Sequence, residues 1–310
     1  MAMIMIQGRS LYQSENGFTL IELLIVIAIT SIVAGTIISA FISQQNSYKV
    51  QIRVAALQQN LRTAMDMITE DIRMAGYYTS IDAGNYDGYI DWNPVEKGMD
   101  EFIPLINGIN DITGIKKYRQ NSDVILIVKA SKDRGVLNIA EQASAGENIL
   151  NLNTLDLDGD GDEDLNPGGR KFGILTKADL SGSELFKIIS VGPPVMTADI
   201  FQTTYGGGDY IARADIIVYR VDDKNSSFIQ AVLERKNFGN GNQFQVVSEG
   251  ITDLQLRYIL DDSSIVDDPT GEERNICAVK VALTGELVIS GSVKKSLYLE
   301  TMIEVRNKGV

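Results

Sequence analysis

Histidine is missing from all 310 residues, and cysteine occurs once, at Cys277. Without an imidazole, Ser-His and Cys-His nucleophilic pairs and His-ligated metal centres are excluded. A single thiol excludes an intrachain disulfide, a Cys-x-x-Cys redox pair and a thiolate zinc cage. Cys277 itself reads as a small apolar residue buried in a strand, with an intermolecular bridge as the competing reading. Cations are also scarce: 28 Lys and Arg face 41 Asp and Glu, a formal charge of −13. Such a surface repels phosphate backbones, and no Lys/Arg stripe offsets it, so no nucleic-acid partner is expected. An active site would have to rest on carboxylates, hydroxyls, Lys or Arg, and no spacing argues for one. An enzyme is therefore not expected.

What is present is concentrated near the N-terminus. From Phe18 to Ile42 the chain is apolar except for Glu22 and small hydroxyl residues. As a helix this stretch of about 25 residues spans roughly 37 Å, enough to cross a bilayer. A cleaved signal peptide would carry a shorter apolar region, of about 7–15 residues. The stretch "ISA" at 38–40 would serve as its cut site, but that reading leaves Glu22 unexplained.

An acid inside hydrocarbon costs about 2.5–3.5 kcal/mol at a helix centre and less towards the interface. One reading is a tolerated, snorkelling side chain. The other is that Glu22 awaits a cation that its own chain does not contain. If the chain were cut between Gly17 and Phe18, the new α-amino group would lie one turn from Glu22. In a stack of parallel helices each carboxylate would meet the amine of a neighbour, which would set axial register as buried polar residues do in coiled coils.

The run "GFTLIELLIVIAI" from Gly17 resembles the class III signal of type IV prepilins and of type II secretion pseudopilins. The resemblance implies that prepilin peptidase reads Gly17, that Phe18 becomes the methylated N-terminus, and that Glu22 is the assembly carboxylate. Two features depart from the pattern. The leader "MAMIMIQGRSLYQSEN" holds one basic residue, Arg9, and the mid-helix Pro of many major pilins is absent, with Ser39 near its place. Gly35 is a softer point at which this helix would bend.

The helix is predicted to continue. Val50, Val54, Leu57, Leu61, Ala64, Ile68, Ile72 and Ala75 recur at steps of about four and three, with Lys49, Arg53, Gln58, Asn60, Arg62, Asp66 and Glu70 on the polar face. No proline interrupts 18–75, and Gly76 is the expected stop. Residues 76–120 read as irregular connection. Strands are expected at 123–130, 184–191, 214–221, 228–235, 253–260, 276–283 and 296–305. In the last of these Leu297, Leu299, Thr301, Ile303 and Val305 share one face. Short polar links favour hairpins, so the fold class is α+β: one long helix, half transmembrane and half amphipathic, packed on an antiparallel sheet.

The segments "LQQNLRTAMDMITEDIRMAGYY" (57–78), "NSDVILIVKAS" (121–131), "VSEGITDLQLRYILDD" (247–262) and "LETMIEVRNKG" (299–309) resemble PilW-type minor pilins, relatives of the J-type pseudopilin of type II secretion. The resemblance implies a pilin-like layout: a leader at 1–17, a transmembrane and filament-core helix at 18–42, an amphipathic helix at 43–75 and an extracytoplasmic head at 76–310. It implies a minor subunit that primes filament assembly and joins the tip complex, anchored in the inner membrane before it reaches a cell-surface pilus. The implied partners are prepilin peptidase, other minor and major pilins, the inner-membrane assembly platform and a tip adhesin. The competing functions are a type II secretion pseudopilin and, from a different class, a signal-anchored periplasmic binding protein.

One further signal is the acidic run "LDLDGDGDEDL" (155–165). Asp156, Asp158, Asp160 and Gly161 match positions 1, 3, 5 and 6 of the calcium-loop pattern, but position 12 is Pro167 where an EF-hand needs a bidentate Glu. A complete EF-hand is thus rejected. A shorter calcium loop would close with the Asp162 carbonyl and the Asp164 carboxylate. The plain alternative is a solvated acidic turn. Six acids in nine positions repel one another without a cation, which favours calcium.

Overall fold

The computed structural model describes residues 17–79, 105–115, 117–166, 171–192, 194–198, 200–223, 231–240, 243–290 and 293–306. The chain comprises two compact units, 1–53 and 54–310. The single α-helix among the described residues, α1 (Leu20–Arg73), contributes to both.

In the first unit the helical residues are exposed almost throughout, and the apolar side chains from Leu20 to Ile42 have no protein cover. Three of its hydroxyls are satisfied internally: Thr30 Oγ1 donates to the Val26 carbonyl at 2.7 Å, Ser31 Oγ to that of Ile27 at 2.7 Å and Thr36 Oγ1 to that of Val33 at 2.8 Å. Back-bonded hydroxyls present little polarity to an apolar environment. Gly35 lies inside the unbroken helix.

In the second unit α1 buries Leu57, Leu61, Ala64, Met65, Ile68 and Ile72. Val50 and Val54, expected on the same stripe, are only half-buried, so burial begins at Leu57. Leu57 is admitted by two glycines. A Cβ at Gly285 would sit 2.8 Å from Leu57 Cδ1, and one at Gly250 (φ +79°) 3.0 Å from it. The helix ends at Arg73, and Gly76 takes a positive φ of 72°, the expected stop. The exit is tied to the sheet, because Gly76 N–H donates to the Val128 carbonyl at 2.9 Å and Ala130 N–H to that of Tyr77 at 2.9 Å.

The described strands of this unit pair antiparallel. The strands are β1 (Ile106–Ile112), β2 (Ser122–Val136), β3 (Gln142–Ala143), β4 (Ile149–Asn151), β5 (Phe172–Thr176), β6 (Ser183–Ser190), β7 (Val195–Thr197), β8 (Tyr210–Asp222), β9 (Val232–Asn237), β10 (Gln245–Glu249), β11 (Ile251–Leu260), β12 (Ile265–Val266), β13 (Ile276–Ser290) and β14 (Val293–Glu304). The larger sheet runs β1-β2-β8-β5-β6-β7-β4-β3, and β9 also pairs with β8 and carries β10. The long β8 can branch because residues 210–213 pair with β5 while 217–222 pair with β9. The smaller sheet runs β12-β11-β13-β14.

Packing explains the strand sequences. Ile125 and Ile127 of β2, with Ile217, Tyr219 and Val221 of β8, face the core around α1. Val124, Leu126, Val128, Ile216 and Val218 face a second core with Phe172 and Phe238. Strands buried on both faces read as continuous apolar runs, which is why "VILIV" and "IIV" do not alternate. By contrast β14 buries one face only, and Tyr298, Glu300, Met302 and Glu304 are exposed between half-buried and buried neighbours. A third core gathers Leu150, Leu165, Phe186, Phe201 and Tyr205 at the β3–β4–β7 end.

One expectation needs correction. Residues 76–120 are not wholly irregular, because β1 lies within them. Its sequence, "INGINDI", carries turn-type residues for a packing reason: a Cβ at Gly108 would fall 1.7 Å from the buried Tyr258 hydroxyl. The strand expected at 228–235 is observed at Val232–Asn237, with 228–230 outside the described residues.

Candidate functional site

The expected processing junction, Gly17–Phe18, sits at the start of α1. Gly17 and Phe18 precede the helix and are exposed, Phe18 at 91 %. Thr19 occupies the N-cap position, and Glu22 is the third helical residue. Thr19 N–H and Thr19 Oγ1 both donate to Glu22 Oε2 at 2.9 Å, and Glu22 N–H donates to Thr19 Oγ1 at 3.3 Å. This is a capping box, in which a hydroxyl and a carboxylate satisfy orphan amides of the first turn reciprocally. The box gives Glu22 a partner within its own chain, beside which the expected cation of a neighbouring subunit would be a second one. The signal was present as Thr-x-x-Glu ahead of an apolar run. Both bonds land on Oε2, so Oε1 retains its acceptor capacity.

The acidic loop brings some of its predicted residues together and not others. Carboxylate oxygens of Asp156, Asp158 and Asp164 lie within 4.8 Å of one another, with Asp158 exposed, Asp156 half-buried and Asp164 buried. Asp160 and Asp162 are outside this group, and the Asp160 carboxylate accepts the Asp162 N–H at 2.9 Å. Asp156 accepts from Gly159 N–H at 2.7 Å and Gly161 N–H at 3.0 Å, both glycines having positive φ. Asp164 closes the loop by accepting Leu157 N–H at 2.8 Å. Burial raises the Asp164 pKa above the usual carboxylate value, and the charges of Asp133 and Asp158 push the same way. The donor set is all oxygen and suits a hard divalent cation.

A third constellation was not anticipated. Asp71, buried at 5 % exposure, projects from α1 into the sheet. Its Oδ1 meets Lys129 Nζ at 2.8 Å, and its Oδ2 accepts from Tyr219 OH at 2.6 Å and Arg235 Nε at 3.0 Å. Burial works against its charge, but Arg235 and Lys129 with the hydrogen bonds they and Tyr219 supply hold its pKa below the usual value. The group pins the last turns of α1 to β2, β8 and β9. Its sequence signal was an acid on the buried stripe itself, between Ile68 and Ile72.

Residues 12–38 match the family described as the prokaryotic N-terminal methylation motif. No curated protein and no solved structure matches the chain. The N-terminus is thus of the prepilin type, which implies trimming by prepilin peptidase and assembly with other pilins. With this motif, an apolar helix long enough to cross a membrane and a head of antiparallel sheet, the chain has the α+β build of a pilin-like protein.

Proposed function

We propose that the chain is a minor pilin of a type IV pilus that primes filament assembly and stands in the tip complex. The observation that carries this reading is the methylation motif laid on an exposed apolar stretch, 18–42, whose one acid is hydrogen-bonded at the first turn. Prepilin peptidase cuts between Gly17 and Phe18, and the helix waits in the inner membrane with the head outside. Thr19 steers the Glu22 carboxylate, and Oε1 receives the freshly exposed amine of a neighbouring subunit. The head then contacts other minor pilins and a tip adhesin, and the helix packs among major pilins delivered by the inner-membrane platform.

The acidic loop supplies a second element of the proposal. Calcium bound by Asp156, Asp158 and Asp164, with Asp160 and Asp162 in the surrounding turn, would offset the burial and the like charges that raise Asp164. Outside the cytoplasm calcium is abundant enough to fill even a site of about 10⁻⁴–10⁻³ M.

Mass spectrometry of the mature chain tests the main reading. A methylated Phe18 is expected, whereas a chain beginning after Ala40 would show ordinary secretion and end the proposal. In a Glu22→Ala strain, processing should survive while incorporation into filaments falls. A pseudopilin of type II secretion shares the motif. Subunits co-purifying with the chain separate the two, because a pilus recruits pilus-type minor subunits and a secretion system does not.

A further inference from the structure

The chain has a formal charge of −13, yet one cleft of the head carries the opposite sign. It holds about 650 Å³ between the last turns of α1, the middle of β2, β8 and the residue that follows β14 closely, Arg306. Five cations line it: Arg73 from α1, Lys129 and Lys132 from β2, Arg213 from β8, and Arg306. Its acids are Asp66 and Glu70 from α1 and Asp215 from β8. Met74 and Tyr77 add apolar surface.

Two of these cations are matched within the head. Lys129 Nζ meets the Asp71 carboxylate at 2.8 Å. Arg213, 8 % exposed, pairs through Nη1 with Asp133 at 2.7 Å and donates from Nη2 to Ser131 Oγ at 2.8 Å. Its Nε is buried without an acceptor, so this wall keeps a donor that nothing in the head satisfies. Asp215 accepts from Asn237 Nδ2 at 2.7 Å. The other three cations differ. Arg73, Lys132 and Arg306 are exposed and make no hydrogen bond or ion pair among the described residues. Asp66 and Glu70 are exposed and equally uncommitted.

We propose that this cleft binds an acidic peptide segment of another protein, its carboxylates on Arg73, Lys132 and Arg306 and its backbone amides on Asp66 and Glu70. The mixed lining selects the class of ligand. Guanidinium forks match a carboxylate or a phosphate in two parallel bonds. A phosphate chain, however, brings charge without N–H donors and would leave the two α1 acids facing like charge. A peptide supplies both kinds of group. The cleft falls within the roughly 300–1,000 Å³ typical of ligand sites. The charge of the whole chain does not forbid the approach, because charges beyond about 8 Å are largely screened at physiological ionic strength. Within that reach the uncommitted cations outnumber the uncommitted acids.

Fluorescence anisotropy of a fluorescein-labelled peptide of alternating Glu and Gly, titrated with the full-length chain in a non-ionic detergent, tests the cleft. The peptide should bind saturably, and its Gln/Gly counterpart should not. Combining Arg73→Gln, Lys132→Gln and Arg306→Gln should weaken binding about tenfold, as the loss of three exposed ion pairs implies. All three side chains are exposed, so the fold is kept. Lys294→Gln with Lys295→Gln, on β14 and outside the cleft, should leave binding unchanged. No saturable binding, or an equal loss in both variants, overturns the proposal. Two other occupants would overturn it as well. Inorganic pyrophosphate binding where the peptide does not would make the cleft a small-anion site. Self-association of the chain that the triple variant abolishes would make a second copy the occupant.

Discussion

Replacing Asp71 by Ala is the sharpest test of how the head holds its helix. The side chain neutralises Lys129 and Arg235, whose side chains are 15 % and 26 % exposed, and it accepts the proton of the buried Tyr219 hydroxyl. Deleting it strands two partly desolvated cations and one phenol at once. Removing one partner of a buried pair typically costs about 3–5 kcal/mol, a large share of the roughly 5–15 kcal/mol that holds a domain together. For a head of this size each kcal/mol lowers the melting temperature by about 2–4 °C, so a loss of roughly 6–20 °C is expected. Circular dichroism melts and guanidinium titrations of the detergent-solubilised chain measure it. Asp71→Asn, which keeps an acceptor for Tyr219, should cost less. A double-mutant cycle with Tyr219→Phe should return a coupling of about 0.5–3 kcal/mol. The pH dependence has a defined sign as well. Because the folded-state pKa lies below 3.8, the contribution is present above pH 3.8 and disappears as pH falls through the lower folded value. A cost under about 1 kcal/mol, the range of an exposed ion pair, would refute the reasoning.

Gly285→Ala places a methyl 2.8 Å from Leu57 Cδ1 and 3.2 Å from the Gly250 carbonyl oxygen, so overpacking of about 1–3 kcal/mol should appear in the same melts. Pairing it with Leu57→Ala should recover part of that loss, whereas strict additivity would show that the contact does not matter. For the acidic loop, calorimetry of the full chain should detect calcium binding that Asp164→Asn weakens by at least about tenfold. Absence of binding heat in the unmodified chain would remove calcium from the proposal.

The N-terminal methylation motif, the long apolar helix and the antiparallel strand runs were legible because each rests on local information. A helix start is written in three or four consecutive residues, and a strand buried on both faces advertises itself as an apolar run. The Thr19–Glu22 box is local in the same way, written as Thr-x-x-Glu ahead of the apolar run. What composition and spacing could not reveal were groups whose meaning depends on distant neighbours. Asp71 and Arg235 are 164 positions apart, and Asp123 reaches Leu256 across 133. Gly108 resembles a turn residue until Tyr258 arrives above it.

From its own residues, then, the chain dictated an apolar N-terminal helix with a capped acid, an absence of histidine chemistry and an α+β head. Tertiary structure decided which acids stay charged, which three of the loop carboxylates converge, and how two sheets are joined. The physical reason is that hydrogen bonds within a turn and side-chain periodicity are short-range in sequence. Desolvation and Coulomb energy depend on neighbours that only folding supplies.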